Sequence, residues 1–399
     1  MKILMVTPYL PSPNYSGGQT RSYNLLKHLS KDCQISLFCF TLPAQQQSNL
    51  TLLKKHCQKV VTIERGKTWQ PKKILFTGFS PYPFLVANYF SPQMKQLIER
   101  ELASGDYDLV HVECFYLMPN IPKTKLPVLL VDQTIEFAVY QHYLQTLPKF
   151  GQILRPLLGI DVIKLRFWEK YFWKKADCLV AVSQEDSQLM KKLSGRTAEV
   201  VLNGVDERLT EIKKVKKYSQ PTVLYGVANF KWMQNKEGAV NLLKEVWPKI
   251  KSLVPGVKLL IAGRHSPSFI QSTGLIKDDR DVETKEVKNA EEAYRRSWVL
   301  VAPMKSGGGS RTKFFEAMAC GLPIITTPEG IEGIEARDGR EVLIGRGYQQ
   351  LAEKTSQLLS NPKLATSISQ SARALVKRKY TWKLSAQNLL TIYQKLAQQ

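Results

Sequence analysis

Apolar residues along this chain gather in short runs, separated by glycine, proline and charged positions. The first run, KILMVTPY, opens at Lys2 and reads as a parallel strand covered on both faces. Pro, Ser, Asn and Gly follow, ending at Gly17 and Gly18. Next, TRSYNLLKHLSK places Tyr23, Leu25, Leu26 and Leu29 at helical spacing. Strand, glycine loop and helix in that order make one Rossmann-like unit. Further strand-like runs are QISLFCF (34–40), KVVTI (59–63), DLVHVEC (108–114), PVLLVD (127–132), DCLVAVS (177–183, with a helix from Gln184) and AEVVLNGVD (198–206). Strands alternating with helices predict a doubly wound α/β domain. Residues 65–95, a mixture of basic, aromatic and proline positions, match neither period.

The lysine-rich stretch EIKKVKKYSQP (211–221) lacks apolar periodicity and suits a domain boundary. The alternation then restarts. TVLYGVA (222–228), VKLLIAG (257–263), a strand near 281–287, WVLVAP (298–303) and LPIITT (322–327) alternate with helices near 236–253, 290–296 and 311–320. The predicted organisation is an N-terminal Rossmann-like domain (1–206), a second one (207–380) and a final helix (381–399) expected to cross back to the first. Two such domains are expected to face each other across a cleft.

Charge adds a possible class of partner. There are 57 basic and 34 acidic residues, a net charge of +23. Residues 1–203 carry 25 basic and 15 acidic groups, so +10 lies there and +13 in the remainder. Such a surface attracts phosphates and anionic headgroups. A nucleic-acid partner is not expected, because the basic residues are dispersed and no recognised module is present. A nicotinamide enzyme fits poorly: the first loop lacks a compact GxGxxG, and no acidic residue ends QISLFCF. Cys33, Cys39, Cys57, Cys114, Cys178 and Cys320 form no CxxC pair and no zinc spacing, so reduced core cysteines and no metal site are expected. The N-terminus has no signal-peptide character, and no run approaches the ~18–20 apolar residues of a membrane span. A cytoplasmic protein is expected.

The segment with most chemistry is SGGGSRTKFFEAMACGLPIITT (306–327). A buried strand leads into Gly307, Gly308 and Gly309, through which backbone can approach a ligand. A helix then starts near Ser310 or Arg311, and its free N–H groups and positive dipole end favour phosphate. Arg311 and Lys313 place two cations in the first turn, which suits a diphosphate there. Glu316, one turn further on, can accept hydrogen bonds from sugar hydroxyls. The structural alternative is a glycine-rich connection with a solvated polar face.

This segment resembles the donor signature of the family 4 glycosyltransferases, which share the GT-B fold. Four more segments resemble that family in order: YSGGQTRSYNLLKHL, LRFWEKYFWKKADCLVAVSQED, VVLNGVD and GVANFKWMQN. The resemblance covers nearly the whole chain. It implies a retaining, metal-independent transfer of sugar from a nucleoside-diphosphate sugar to a glycan, lipid-linked or other hydroxyl acceptor, as in polysaccharide biosynthesis. It needs no cofactor beyond that co-substrate.

The resemblance also implies residue roles. Glu316 holds the donor ribose, while Arg311, Lys313 and the helix start neutralise the leaving diphosphate. Gly308, Gly309 and Ser310 line the donor, and backbone at Glu286 and Val287 edges the base. Gly17 and Gly18 let the first loop approach donor phosphate and acceptor. Two positions depart from the family. Gly308 stands where most members carry a second glutamate. Gln133, in DQTIEF, stands where many carry a histidine, and it can hydrogen-bond a sugar hydroxyl but not relay a proton. These departures motivate the alternative of a catalytically inactive binding or scaffold protein.

Other positions carry two readings each. Asn229 and Asn235 flank a loop at the expected cleft mouth, as substrate contacts or as structure. His265 faces the diphosphate or is a surface histidine. Asp132 and Glu136 are catalytic neighbours, or a cap and a structural ion pair. Asn203 and Gly204 form a turn into the link. Trp168, Tyr171, Phe172 and Trp173 beside Lys170, Lys174 and Lys175 read either as core or as a stripe on an anionic membrane surface. The second reading places the protein on the inner face of the cell membrane.

Overall fold

Seven parallel strands build the first sheet: β1 (Lys2–Thr7), β2 (Gln34–Thr41), β3 (Lys59–Glu64), β4 (Leu109–Glu113), β5 (Val128–Asp132), β6 (Cys178–Ala181) and β7 (Glu199–Val200), in the order β3-β2-β1-β4-β5-β6-β7. All but the two-residue β7 carry apolar runs, because helices cover both faces of such a sheet. The structure is a computed structural model. It describes every residue except 14–15, 43–45, 67–69, 146–154, 213–219, 277–278, 288–289, 306–311 and 399.

The chain divides into two units. One comprises Met1–Asn203 with Lys383–Gln399, the other Gly204–Trp382. In the first, the final helix Trp382–Leu396 packs Ala386, Leu389, Ile392, Tyr393 and Leu396 into the core that holds Ile3, Met5, Leu25 and Leu29. The helix after β1 begins at Gly17 itself, with Ser16 as its N-cap, so both glycines belong to its first turn rather than to the loop before it.

The second unit holds six parallel strands: β8 (Thr222–Asn229), β9 (Lys258–Arg264), β10 (Val282–Lys285), β11 (Val299–Ala302), β12 (Ile324–Thr326) and β13 (Leu343–Ile344), in the order β10-β9-β8-β11-β12-β13. At a register shift between β8 and β9, Gly226 and Gly263 have φ of 120° and 139°. A Cβ on either would come within 2.0 Å of a carbonyl oxygen of the other strand, so only glycine fits there.

Two expectations need correcting. Residues 65–95 are not irregular: they contain helices Pro71–Phe79 and Phe84–Tyr89 and the start of Pro92–Ser104. Prolines sit in the first turns at 71 and 92, where a missing N–H costs nothing. The run 198–206 is strand only at Glu199–Val200, because β7 is an edge strand paired on one side. All six cysteines are free, and four are buried.

Candidate functional site

In each sheet, strand order reverses at one point. In the second unit that point lies between β8 and β11, since the chain winds from β8 to β9 and β10 and then returns to the other side. Open parallel sheets bind ligands beyond the carboxyl ends of strands at such a point. Asn229 ends β8, and the Thr312–Ala319 helix follows β11.

The side chains there are joined. Lys313 Nζ donates to Asn235 Oδ1 at 3.1 Å and lies 5.6 Å from the centre of the Tyr225 ring. Asn235 Nδ2 donates to the Asn229 carbonyl at 3.0 Å, and Tyr225 OH donates to the Asn235 carbonyl at 2.8 Å. A cation from the helix after β11 is thus held by Asn235, in the Met233–Asn241 helix after β8, and by Tyr225 of β8 itself, across the switch point. Glu316 follows one turn later on the same helix, whose other face buries Phe314, Phe315, Ala317 and Met318. Tyr294 OH donates to Glu316 Oε2 at 2.9 Å. Burial pushes the Glu316 carboxyl up to about 7, with the Tyr294 hydrogen bond opposing the rise.

Val287 follows β10 and is half-buried. Its neighbour Glu286 accepts a hydrogen bond from the His265 backbone N–H, and His265 has a φ of 61° at the head of the Ser266–Thr273 helix. His265 therefore shapes a turn. Gly308, Gly309, Ser310 and Arg311 lie outside the described residues.

The first unit reverses between β1 and β4. Gly18 packs there so closely that a Cβ would fall 2.5 Å from both Gln133 Oε1 and Tyr9 OH. Tyr9 OH donates to Gln133 Oε1 at 2.9 Å, and Gln133 Nε2 donates to Glu113 Oε2. Glu113 Oε1 lies 3.3 Å from His111 Nε2, and both side chains are fully buried. Tyr393 OH pairs with His111 Nδ1. Arg21, also buried, donates through Nη1 to Asn203 Oδ1 at 2.8 Å, so Asn203 anchors an arginine as well as ending the unit. Burial lowers the Arg21 pKa while the Glu113 charge supports it.

Asp132 caps the start of the Phe115–Asn120 helix, and among the described residues neither Asp132 nor Glu136 forms an ion pair. Asp132 accepts from Phe115 N at 3.0 Å and Trp173 Nε1 at 2.5 Å. The Glu136 and Phe137 N–H groups donate to Glu169 at 2.8 and 3.0 Å, so Glu169 caps the helix that starts at Glu136. The aromatic stripe also divides: Phe172 and Trp173 are buried, Trp168 is half-buried and Tyr171 is exposed.

Tyr294, Tyr225, Glu113, His111 and Arg21 escaped sequence reasoning. For two of them a signal existed: His111 and Glu113 are ionisable positions inside a strand that is otherwise apolar. Tyr294 and Tyr225 have no local signal.

Residues 221–361 match the family model described as "Glycosyl transferases group 1", and residues 15–209 match "Glycosyltransferase Family 4". Together these span both units. The chain belongs to the group 1 glycosyltransferases. A phosphatidyl-myo-inositol mannosyltransferase of Mycobacterium leprae is 25% identical over 329 residues, covering 79% of this chain and 81% of the relative. Among solved structures, the sucrose-phosphate synthase of Thermosynechococcus elongatus matches with a TM-score of 0.71 at 18% identity, over 99% of this chain and 98% of its own. Anabaena HepE in complex with UDP-glucose matches with a TM-score of 0.66 at 13% identity, over 99% of this chain and 100% of its own. These likenesses establish for this glycosyltransferase the GT-B fold of two Rossmann-like domains.

Proposed function

We propose that this glycosyltransferase takes a nucleoside-diphosphate sugar as donor and moves the sugar, with retention and without a metal ion, to a glycan or lipid-linked hydroxyl. The observation that carries this reading is the Lys313–Asn235 hydrogen bond at the switch point, with Glu316 one turn further on. HepE bound to UDP-glucose and the mycobacterial relative named for a lipid substrate support the donor and acceptor classes.

In this reading Glu316 accepts from the ribose hydroxyls, and backbone at Val287 edges the base. Lys313, Arg311 and the helix start neutralise the diphosphate, with Gly308, Gly309 and Ser310 along the donor and Asn229 holding Asn235 in place. The bond between anomeric carbon and diphosphate oxygen breaks, and that oxygen keeps the electron pair. The acceptor oxygen bonds to the anomeric carbon on the same face, and its proton passes to the leaving phosphate oxygen. Gln133 contributes a hydrogen bond near the acceptor, oriented by Tyr9 and Glu113, while Gly17 and Gly18 admit the reactants. Free cysteines suit a reducing compartment such as the cytoplasm.

A thermal-shift panel of nucleoside diphosphates tests the donor site. One nucleotide at ~100 times its Kd adds about 2.7 kcal/mol of stability, and Glu316→Ala and Lys313→Ala abolish the shift. The second reading, an inactive binding protein, draws on Gln133, whose two polar ends are already engaged by Tyr9 and Glu113. Binding without sugar transfer across a panel of acceptors would favour it.

A further inference from the structure

Among the described residues of the second unit, three large hydrophobic side chains are exposed: Trp232 (57%), Met233 (43%) and Leu253 (44%). Leu253 ends the Trp247–Leu253 helix, which leads back to the start of β9, so it lies at the amino edge of the sheet. Trp232 and Met233 come just after Asn229, the last residue of β8, and lie at the carboxyl edge beside the switch point. The backbone there is pinned. Phe230 N donates to the Arg264 carbonyl at 3.0 Å, and the buried Phe230 ring packs against Tyr225 and Phe269. Lys231 N donates to Asn229 Oδ1 at 3.0 Å, and Trp232 N donates to the Asn229 carbonyl at 3.2 Å. Trp232 is also the N-cap of the Met233–Asn241 helix, and its carbonyl accepts from Lys236 N at 3.2 Å. Phe230 thus anchors this turn in the core, while the indole two residues later is held out on fixed backbone.

We propose that Trp232, with Met233 next to it in the chain, is a platform for the apolar face of a pyranose ring, so that it helps to set which sugar the enzyme accepts. The inference rests on the donor site proposed above and adds a contact to it. Place and chemistry select the ligand. Trp232 stands one helical turn before Asn235, the residue that holds Lys313, and so belongs to the end of the site where the sugar leaves its diphosphate. The nucleobase is expected at Val287 after β10, and β9 separates β10 from β8. Two strand spacings put that edge roughly 10 Å away. A pyranose ring carries C–H groups on one side and hydroxyls around its rim. The negative face of an indole attracts such C–H groups, and a flat ring on fixed backbone loses little freedom when it binds.

Saturation-transfer NMR tests the platform, with UDP-glucose, GDP-mannose, methyl α-glucoside and methyl α-mannoside as probes. The sugar protons H3 and H5 are expected to receive saturation from the protein. Trp232→Ala should lower that transfer about ten-fold, Trp232→Phe should keep most of it, and base protons should be unaffected by either. Loss on the nucleotide sugars makes the ring the donor's, and loss on the methyl glycosides makes it the acceptor's. If Trp232→Ala melts early, Trp232→Leu takes its place. Sugar signals that stay unchanged in the variant overturn the proposal and leave the donor site standing. Base signals that fall together with the sugar signals also overturn it, because the indole then stacks on the base. If wild-type protein saturates no base proton of either nucleotide sugar, the donor site fails; the methyl glycosides still test the indole, and silence there overturns the platform as well.

Discussion

Tyr294 donates its hydroxyl to Glu316 at 2.9 Å from a helix that ends before β11 begins, bringing together side chains 22 positions apart. Burial holds the Glu316 carboxyl at about 7, against about 4.3 for an exposed glutamate. Ribose hydroxyls donate to the ionised form, so nucleotide affinity should rise about ten-fold from pH 6 to pH 8. Calorimetric titration across that range checks this. Tyr294→Phe removes a bond that favours the ionised form and should move the curve to higher pH, and Glu316→Gln should flatten it.

Lys313 is held by Asn235 at the switch point of the second sheet. If it neutralises the leaving diphosphate, Lys313→Ala should lower kcat by about 100-fold or more. Asn235→Ala leaves the charge but loosens its placement, so a smaller loss is expected. Steady-state kinetics with a radiolabelled donor sugar separates the two.

A Cβ on Gly18 would meet the hydrogen-bonded ends of two side chains, Gln133 Oε1 and Tyr9 OH, at 2.5 Å, so that pair must shift to admit it. Gly18→Ala should cost about 1–3 kcal/mol in urea unfolding through overpacking. Gly78, where a Cβ meets nothing within 4 Å, serves as the control.

Glu113 is buried with Arg21 and His111 and accepts from Gln133. Glu113→Ala leaves buried polar groups without their carboxylate and should cost about 3–5 kcal/mol. Urea denaturation is the measurement, and a change below 1 kcal/mol would remove Glu113 as the centre of this network.

Three carboxyls beneath the first sheet should tilt the pH dependence of stability. Burial raises Glu136 to about 8 and also raises Asp132 and Glu169. Their unfolded values are near 4, so from about pH 4 to 8 the native state binds more protons than the unfolded state. Stability contributed by these groups therefore falls as pH rises through that window. Chemical unfolding at pH 5.5 and 8 should show it, with a shallower slope in Glu136→Gln.

The sequence by itself determined the α/β class, the alternation of strands, two Rossmann-like domains and the placing of Lys313 and Glu316 on one helix. These are local properties: apolar runs, glycines and one helical turn all lie within a few residues of each other. It missed the helix at 71–79, because a helix that turns apolar side chains to solvent lacks the usual polar face, and the one at 84–89, because six residues with no exposed polar side show no helical period. Only the tertiary structure decided which groups meet. Tyr294 reaches Glu316, and Glu113 reaches Gln133. Parallel strands carry residues far apart in the chain to neighbouring strand ends, and side-chain direction is fixed there by packing, which no window along the chain records.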